Sequence, residues 1–186
     1  MEYVDPIKDL DQIEAMKKEL RGHSQRDVLL FVLGINTGIR VCDLLSLKVK
    51  DVRDGESFKE FLFIQDDGEK PKAFYLNSSI QTELRIYFVR HQLEENDYLF
   101  KSKKNELPIT RQQAYRIINQ AAKKVGVSGK IGTHTLRKTF GYHAYRKGIA
   151  ISILMAVFNH HSPKETLKYI GIETDEDPFL RVDVNL

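Results

Sequence analysis

The chain has 186 residues, 41% of them apolar, which suits one packed domain of ordinary soluble composition. No apolar run approaches membrane-spanning length, the opening Met1-Glu-Tyr-Val-Asp does not read as a signal peptide, and the single cysteine, Cys42, excludes an internal disulfide and fits a reducing cytosol. The net charge of +3 conceals an uneven spread: residues 173–186 hold five acids and one base, so the remainder carries 28 bases against 21 acids. Residues 101–138 hold ten bases and one acid, Glu106, a block that fits either a polyanion or a well-solvated helix face.

In chain order, DLDQIEAMKKEL places Leu10, Ile13, Met16 and Leu20 at helical spacing. Gly22 and Ser24 break it, with Ser24 as N-cap of the next helix, QRDVLLFVLGINTG. That helix is apolar nearly all round, which predicts the central buried one, closed by Gly38. Residues 40–47 read as a short helix burying Leu44, Leu45 and Leu47. Arg40 and Asp43 stand three apart on it and can pair, although an Arg here also reads as a cap on the preceding helix. Residues 49–77 predict a small antiparallel sheet of three strands, KVKDV, EFLFIQ and KAFYL, with DDGEK as the last hairpin turn.

SSIQTELRIYFVRHQLE predicts a helix capped by Ser78 or Ser79, with Ile80, Leu84, Tyr87 and Phe88 facing the core. TRQQAYRIINQAAKKVGV predicts an amphipathic helix capped by Thr110. Ala114, Ile117, Ile118 and Ala121 face inward, and Arg111, Arg116, Lys123 and Lys124 face outward, where a nucleic-acid backbone could lie.

Residues 131–171 carry the densest chemistry. Thr133 reads as the N-cap of a helix in which Leu136, Phe140 and Ala144 recur at helical intervals. His134 and Arg137 then sit one turn apart at the helix start, where backbone N–H groups and the positive dipole end favour an anion. Gly148 ends this helix, ISILMAVF forms a second, and Pro163 starts a third that carries Tyr169. An Arg fork matches phosphate oxygens, an imidazole such as His134 or His160 moves protons near neutrality, and a deprotonated Tyr hydroxyl is a nucleophile. His134, His143, His160 and His161 raise the question of a metal, but no HExxH or paired-Cys pattern supports one.

The sequence HTLRKTF followed by FNHHSPKETLKY resembles the second conserved box of the tyrosine recombinase (phage integrase) family, HxLR…LGHxSxxxTxxY. NTGIRVCDLLSLKVKDV, about a hundred residues earlier, resembles its first box, and the likeness runs from about Ile7 to Gly171. The resemblance implies an α+β, mostly α-helical catalytic domain over residues 1–172 with a three-stranded sheet at its edge. The acids of residues 173–186 suit a loose, solvated tail, the default for a chain end; the resemblance offers instead a tail that docks on a neighbouring protomer through Phe179, Leu180, Val182, Val184 and Leu186.

It further implies Arg40, Lys70, His134, Arg137, His160 and Tyr169 as catalytic residues, buttressed by Asp43, with Lys72, Arg111, Arg116, Lys123 and Lys138 on DNA. In that chemistry the Tyr forms a 3′-phosphotyrosyl link, a hairpin Lys protonates the departing 5′-oxygen, and neither metal nor ATP nor another cofactor is needed. The partners implied are double-stranded DNA, further copies of the chain and accessory DNA-binding proteins, in the cytoplasm.

Two departures stand out. The family's usual hairpin Lys position, counted back from Leu76, is Asp67, so the assignment passes to Lys70, with Lys72 as the other available lysine. Asn159 replaces the family's usual Gly before the motif His, and His161 fills the small-residue position after it. Complete members also clamp DNA with an N-terminal helical domain. The likeness begins at the catalytic domain, in a stand-alone protein or a fragment, so weak and salt-dependent DNA affinity is expected. The alternatives are a non-catalytic DNA-binding module on this fold, and a protein-interaction domain that binds no nucleic acid.

Overall fold

The computed structural model describes residues 4–65 and 70–173. Helix α1 (Leu10–His23) starts where the Asp9 carboxylate accepts the Asp11 N–H at 2.8 Å, and it buries Ile13, Met16 and Leu20. Leu10, the first residue of the expected stripe, stays 66% exposed. Helix α2 (Gln25–Thr37) is the central one: every side chain from position 28 to 33 is at most 1% exposed, and α1, α5 and α7 pack around it. It stops at Gly38, φ +67°, where an added Cβ would strike the Phe140 ring.

Helix α3 (Val41–Ser46) follows directly and, with its C-cap residue, buries Leu44, Leu45 and Leu47. KVKDV, expected as a strand, folds instead as the short helix α4 (Val49–Val52). Asp51 accepts the Lys48 N–H at 2.8 Å, and Val49 and Val52, three apart, share a buried face, so helical spacing satisfies the valines as well as a strand would.

The described strands then form two ribbons rather than one three-stranded sheet. Strand β1 (Arg53–Asp54) pairs antiparallel with β2 (Ser57–Phe58) across Gly55. Strand β3 (Phe61–Ile64) pairs with β4 (Lys72–Tyr75) in the register Leu62↔Phe74 and Ile64↔Lys72. Leu62 and Phe74 point inward, while Phe61, Phe63 and Tyr75 face out. Of the expected DDGEK turn only Lys70 is among the described residues.

Helix α5 (Ser78–Arg90) is capped not by a serine but by Asn77, which accepts the Ile80 N–H at 3.1 Å and donates to Asn36 Oδ1 at 2.9 Å. Helix α6 (Arg111–Val125) has the expected Thr110 cap, made reciprocal by Gln113. Helix α7 (Thr133–Arg146) starts one residue earlier than read. Gly132 is its N-cap and donates to Thr135 Oγ1 at 3.0 Å, which leaves Thr133 as the first helical residue. Helices α8 (Ile151–Phe158) and α9 (Pro163–Tyr169) close the fold through a second core of Leu154, Phe158 and Ile170. The expected docking tail beyond residue 173 lies outside the described residues. Among them, no helix is long and apolar enough to cross a membrane.

Candidate active site

Where α7 begins, its first turn faces the chain just after α2 and the turn between α8 and α9. Between them lies an open cleft of about 320 Å³, lined by Arg40, His134, Arg137, His160 and Tyr169, with Arg111, Lys138 and Phe158 beside them. Five of the six expected catalytic residues therefore meet in one place.

Arg137 is the most constrained. It is 8% exposed; Nη1 donates to the Gly38 carbonyl, Nη2 donates to the Val157 carbonyl at 3.0 Å, and the guanidinium lies 4.8 Å from the centre of the Phe158 ring. These bonds tie the end of α2 and the end of α8 to α7. The Gly38 carbonyl is two residues from Arg40, which lines the same cleft. Burial lowers the Arg137 pKa, Tyr169 opposes that shift, and Arg40 adds to it.

The two imidazoles sit in different settings. His134 Nε2 is 3.2 Å from Arg111 Nη2; an Arg can only donate, so Nε2 accepts and the ring proton belongs on Nδ1. Partial burial lowers the His134 pKa, and Arg111, Lys138 and Arg137 push it the same way, all favouring the neutral ring. His160 Nδ1 is 3.0 Å from Thr166 Oγ1, whose own hydroxyl donates to the Ser162 carbonyl at 3.3 Å. That assignment puts the His160 proton on Nδ1 and leaves Nε2 as a lone pair. Burial lowers the His160 pKa, Glu165 opposes the shift, and Arg137 and His161 reinforce it.

Tyr169 ends α9, half-buried, with its ring 5.0 Å from His160 and 5.2 Å from Phe158, centre to centre. Burial raises its pKa, while Arg137 and then Arg40 pull it back. The phenol is thus neutral at rest, with guanidiniums in position to stabilise its anion.

The remaining expected residues divide. Asp43 shares a small crevice with Arg40, Arg137 and Lys72. Lys72 donates to the Ala156 carbonyl at 3.1 Å and to Asn159 Oδ1, whereas Lys70, expected as the catalytic lysine, is exposed and does not line either cavity. What separates them is the ladder: Lys72 is held in β4 opposite Ile64, whereas Lys70 lies before the strand begins.

Arg116 and Lys123 are exposed on α6, as expected of a backbone-facing helix. Lys138 differs from its expected surface role. It is 7% exposed, donates to the Val4 carbonyl at 2.8 Å, and lies 5.1 Å from the centre of the Tyr169 ring. His143 is likewise structural, donating through Nε2 to the Ile7 carbonyl at 2.9 Å. Among the described residues, no three His, Cys, Asp or Glu side chains group as a metal site.

Arg111 as the partner of His134, and Lys138 beside Tyr169, carry no local sequence signal. Each depends on packing between elements distant in the chain.

This chain belongs to the phage integrase family, whose model matches residues 8–176. It is 43% identical to the probable integrase/recombinase YoeC of Bacillus subtilis (strain 168) over 176 residues, which is 94% of this chain and 93% of that protein. It spans about half the length of the other curated tyrosine recombinases it matches. The fold is similar to the crystal structure of XerA recombinase, with a TM-score of 0.74 at 23% identity over 94% of this chain and 61% of that one. It is also similar to a XerH site-specific recombinase bound to difH substrate before cleavage, with a TM-score of 0.69 at 21% identity over 94% and 52%.

Proposed function

We propose that the chain is a site-specific DNA recombinase or integrase that breaks and rejoins duplex DNA through Tyr169. The observation that carries this reading is the convergence of Arg40, Arg137, His134, His160 and Tyr169 on one cleft. Family membership and the DNA-bound XerH neighbour support DNA as the substrate.

On this reading the two guanidiniums hold the non-bridging oxygens of one phosphate, and His134 donates to it through Nδ1. Tyr169 Oη attacks phosphorus while its proton passes to His160 Nε2, the imidazole packed against it. The bond from phosphorus to the 5′-oxygen breaks, and that oxygen takes a proton from a lysine ammonium. We assign this proton to Lys72 rather than Lys70, because Lys72 shares a crevice with both arginines. The products are a 3′-phosphotyrosyl ester and a free 5′-hydroxyl. Attack by another 5′-hydroxyl reverses the steps and joins a new strand. The ester retains the bond energy, so neither ATP nor a metal ion enters the scheme.

The enzyme would work in the cytoplasm as several copies on DNA, with accessory DNA-binding proteins supplying affinity. Arg111, Arg116 and Lys123 would lie along the backbone, and binding would weaken steeply with salt.

The test is a nicked suicide duplex that traps the covalent intermediate. Wild type should give a protein–DNA adduct that survives denaturation, and Tyr169→Phe should give none while keeping DNA binding. A second reading, a DNA-binding module without catalysis, is favoured by Asp67 at the family's usual lysine position. Gel shifts without adduct on any duplex would establish it in place of the first.

A further inference from the structure

We propose that Asn159 is a positioning residue that holds Lys72 at the mouth of the cradle formed by Arg40 and Arg137. The inference rests on the reading of Lys72 as the acid that protonates the leaving 5′-oxygen. Lys72 pairs with Ile64 in the β3–β4 ladder, so its backbone is fixed in register while its side chain crosses to another element. Its ammonium ends on two acceptors at the C-terminus of α8, the Ala156 carbonyl and the Asn159 side-chain oxygen. From there it borders the crevice that also holds both arginines.

Asn159 is the α8 C-cap, with φ +59° and ψ +44°, and among the described residues it alone takes a positive φ without being glycine. Glycine would adopt that backbone with less strain, and Asn is the side chain that tolerates it best. The backbone therefore does not require an amide here; the lysine it meets does. A lysine stem has four rotatable carbons, so an ammonium that loses the Asn159 acceptor spreads over more rotamers even with the Ala156 carbonyl still in reach. An acceptor at the end of α8 keeps it at the crevice it shares with the arginines, within reach of a phosphate held there.

Asn159→Gly is a clean variant, because it removes the carboxamide and relaxes the backbone. Two suicide duplexes report on it, one with an ordinary phosphodiester and one with sulfur replacing the bridging 5′-oxygen. The sulfur leaves as a thiolate and needs no proton. Asn159→Gly should slow adduct formation on the ordinary duplex by about 10- to 100-fold, part of what a placed general acid contributes. It should leave the sulfur duplex at the wild-type rate. Lys72→Ala should show the same selectivity, and adding Asn159→Gly to it should slow nothing further.

Equal slowing on both duplexes, no slowing, or acceleration would each overturn the proposal. If wild type forms no adduct on either duplex, the recombinase reading fails instead, and the NMR signals of the Lys72 side chain still decide the contact. Averaging of its two Cε proton shifts in Asn159→Gly supports it, and unchanged side-chain signals overturn it.

Discussion

Gly141 tests the link between packing and chemistry most sharply. It lies on α7, facing Phe158 of α8 and Ile170 just after Tyr169. A Cβ added there would stand 2.5 Å from Ile170 Cγ2 and 2.7 and 2.8 Å from two atoms of the Phe158 ring. Favourable carbon contacts begin near 3.5 Å, so these neighbours would have to retreat by about an ångström. Both are buried, Ile170 at 0% and Phe158 at 5% exposure, and have little room to do so.

Overpacking of this kind costs about 1–3 kcal/mol, against about 1 kcal/mol gained by replacing Gly with Ala inside a helix. Gly141→Ala should therefore lose up to about 2 kcal/mol and melt up to about 8 °C lower. The functional effect should be larger. Ile170 adjoins Tyr169 in the chain, and the Phe158 ring touches both Tyr169 and Arg137. A shift of about an ångström at a reacting group costs on the order of 100-fold in rate. Urea denaturation and single-turnover adduct formation measure the two effects separately. A Gly141→Ala protein that is more stable than wild type and reacts at the wild-type rate would refute the reasoning.

Three further outcomes follow from the site. Arg137→Lys keeps the charge but can serve only one of the two carbonyls that the guanidinium bridges. The orphaned carbonyl and weaker stacking should cost about 2–3 kcal/mol in urea denaturation without DNA, and unchanged stability would show that the bridge is not structural. The His160 pKa is held below its usual range, chiefly by burial, so on the proposed mechanism adduct formation should be flat above about pH 6.5 and fall as His160 protonates below it. The same depressed pKa means that the unfolded chain takes up the His160 proton first on acidification, so stability is present above about pH 6.5 and lost as pH falls through the folded value. A rate that rises on acidification from pH 8 to 6 would exclude a neutral His160 as proton acceptor.

Much of the fold is legible in the sequence because its helices bury stripes with a 3.6-residue period. The all-round apolarity of residues 28–33 announces the central helix without any tertiary knowledge. What escapes is where two local solutions compete. The valines of KVKDV satisfy a strand by β-propensity and a helix by their i, i+3 spacing, and the Asp51 cap decides for the helix. The caps of α5 and α7 fall earlier than read: at α5 the Asn77 side chain takes the Ile80 N–H ahead of the serines, and at α7 the Thr135 hydroxyl accepts the Gly132 N–H, which leaves Thr133 inside the helix. In the site, His134 and Arg137 are readable together because they share one helical turn. Arg40 lies about a hundred residues away and meets them only in the folded cleft, a proximity that periodicity cannot supply and the family resemblance did. Strand alternation cannot separate Lys70 from Lys72, because both are in phase with Phe74; only the end of the β3–β4 ladder distinguishes their positions.

The site divides into two parts with different rigidity. Arg137 is fixed to the ends of two helices before any DNA arrives, and Arg40 lines the same cleft two residues beyond Gly38. A charge cradle built this way needs little reorganisation when a phosphate enters, which is the condition under which oriented cations stabilise a transition state most. The proposed proton donor belongs to a two-stranded ribbon at the edge and reaches the cradle through one side chain and two acceptors. Changes in the ribbon or at Asn159 should therefore slow cleavage without weakening phosphate binding, whereas changes at Arg137 should damage both.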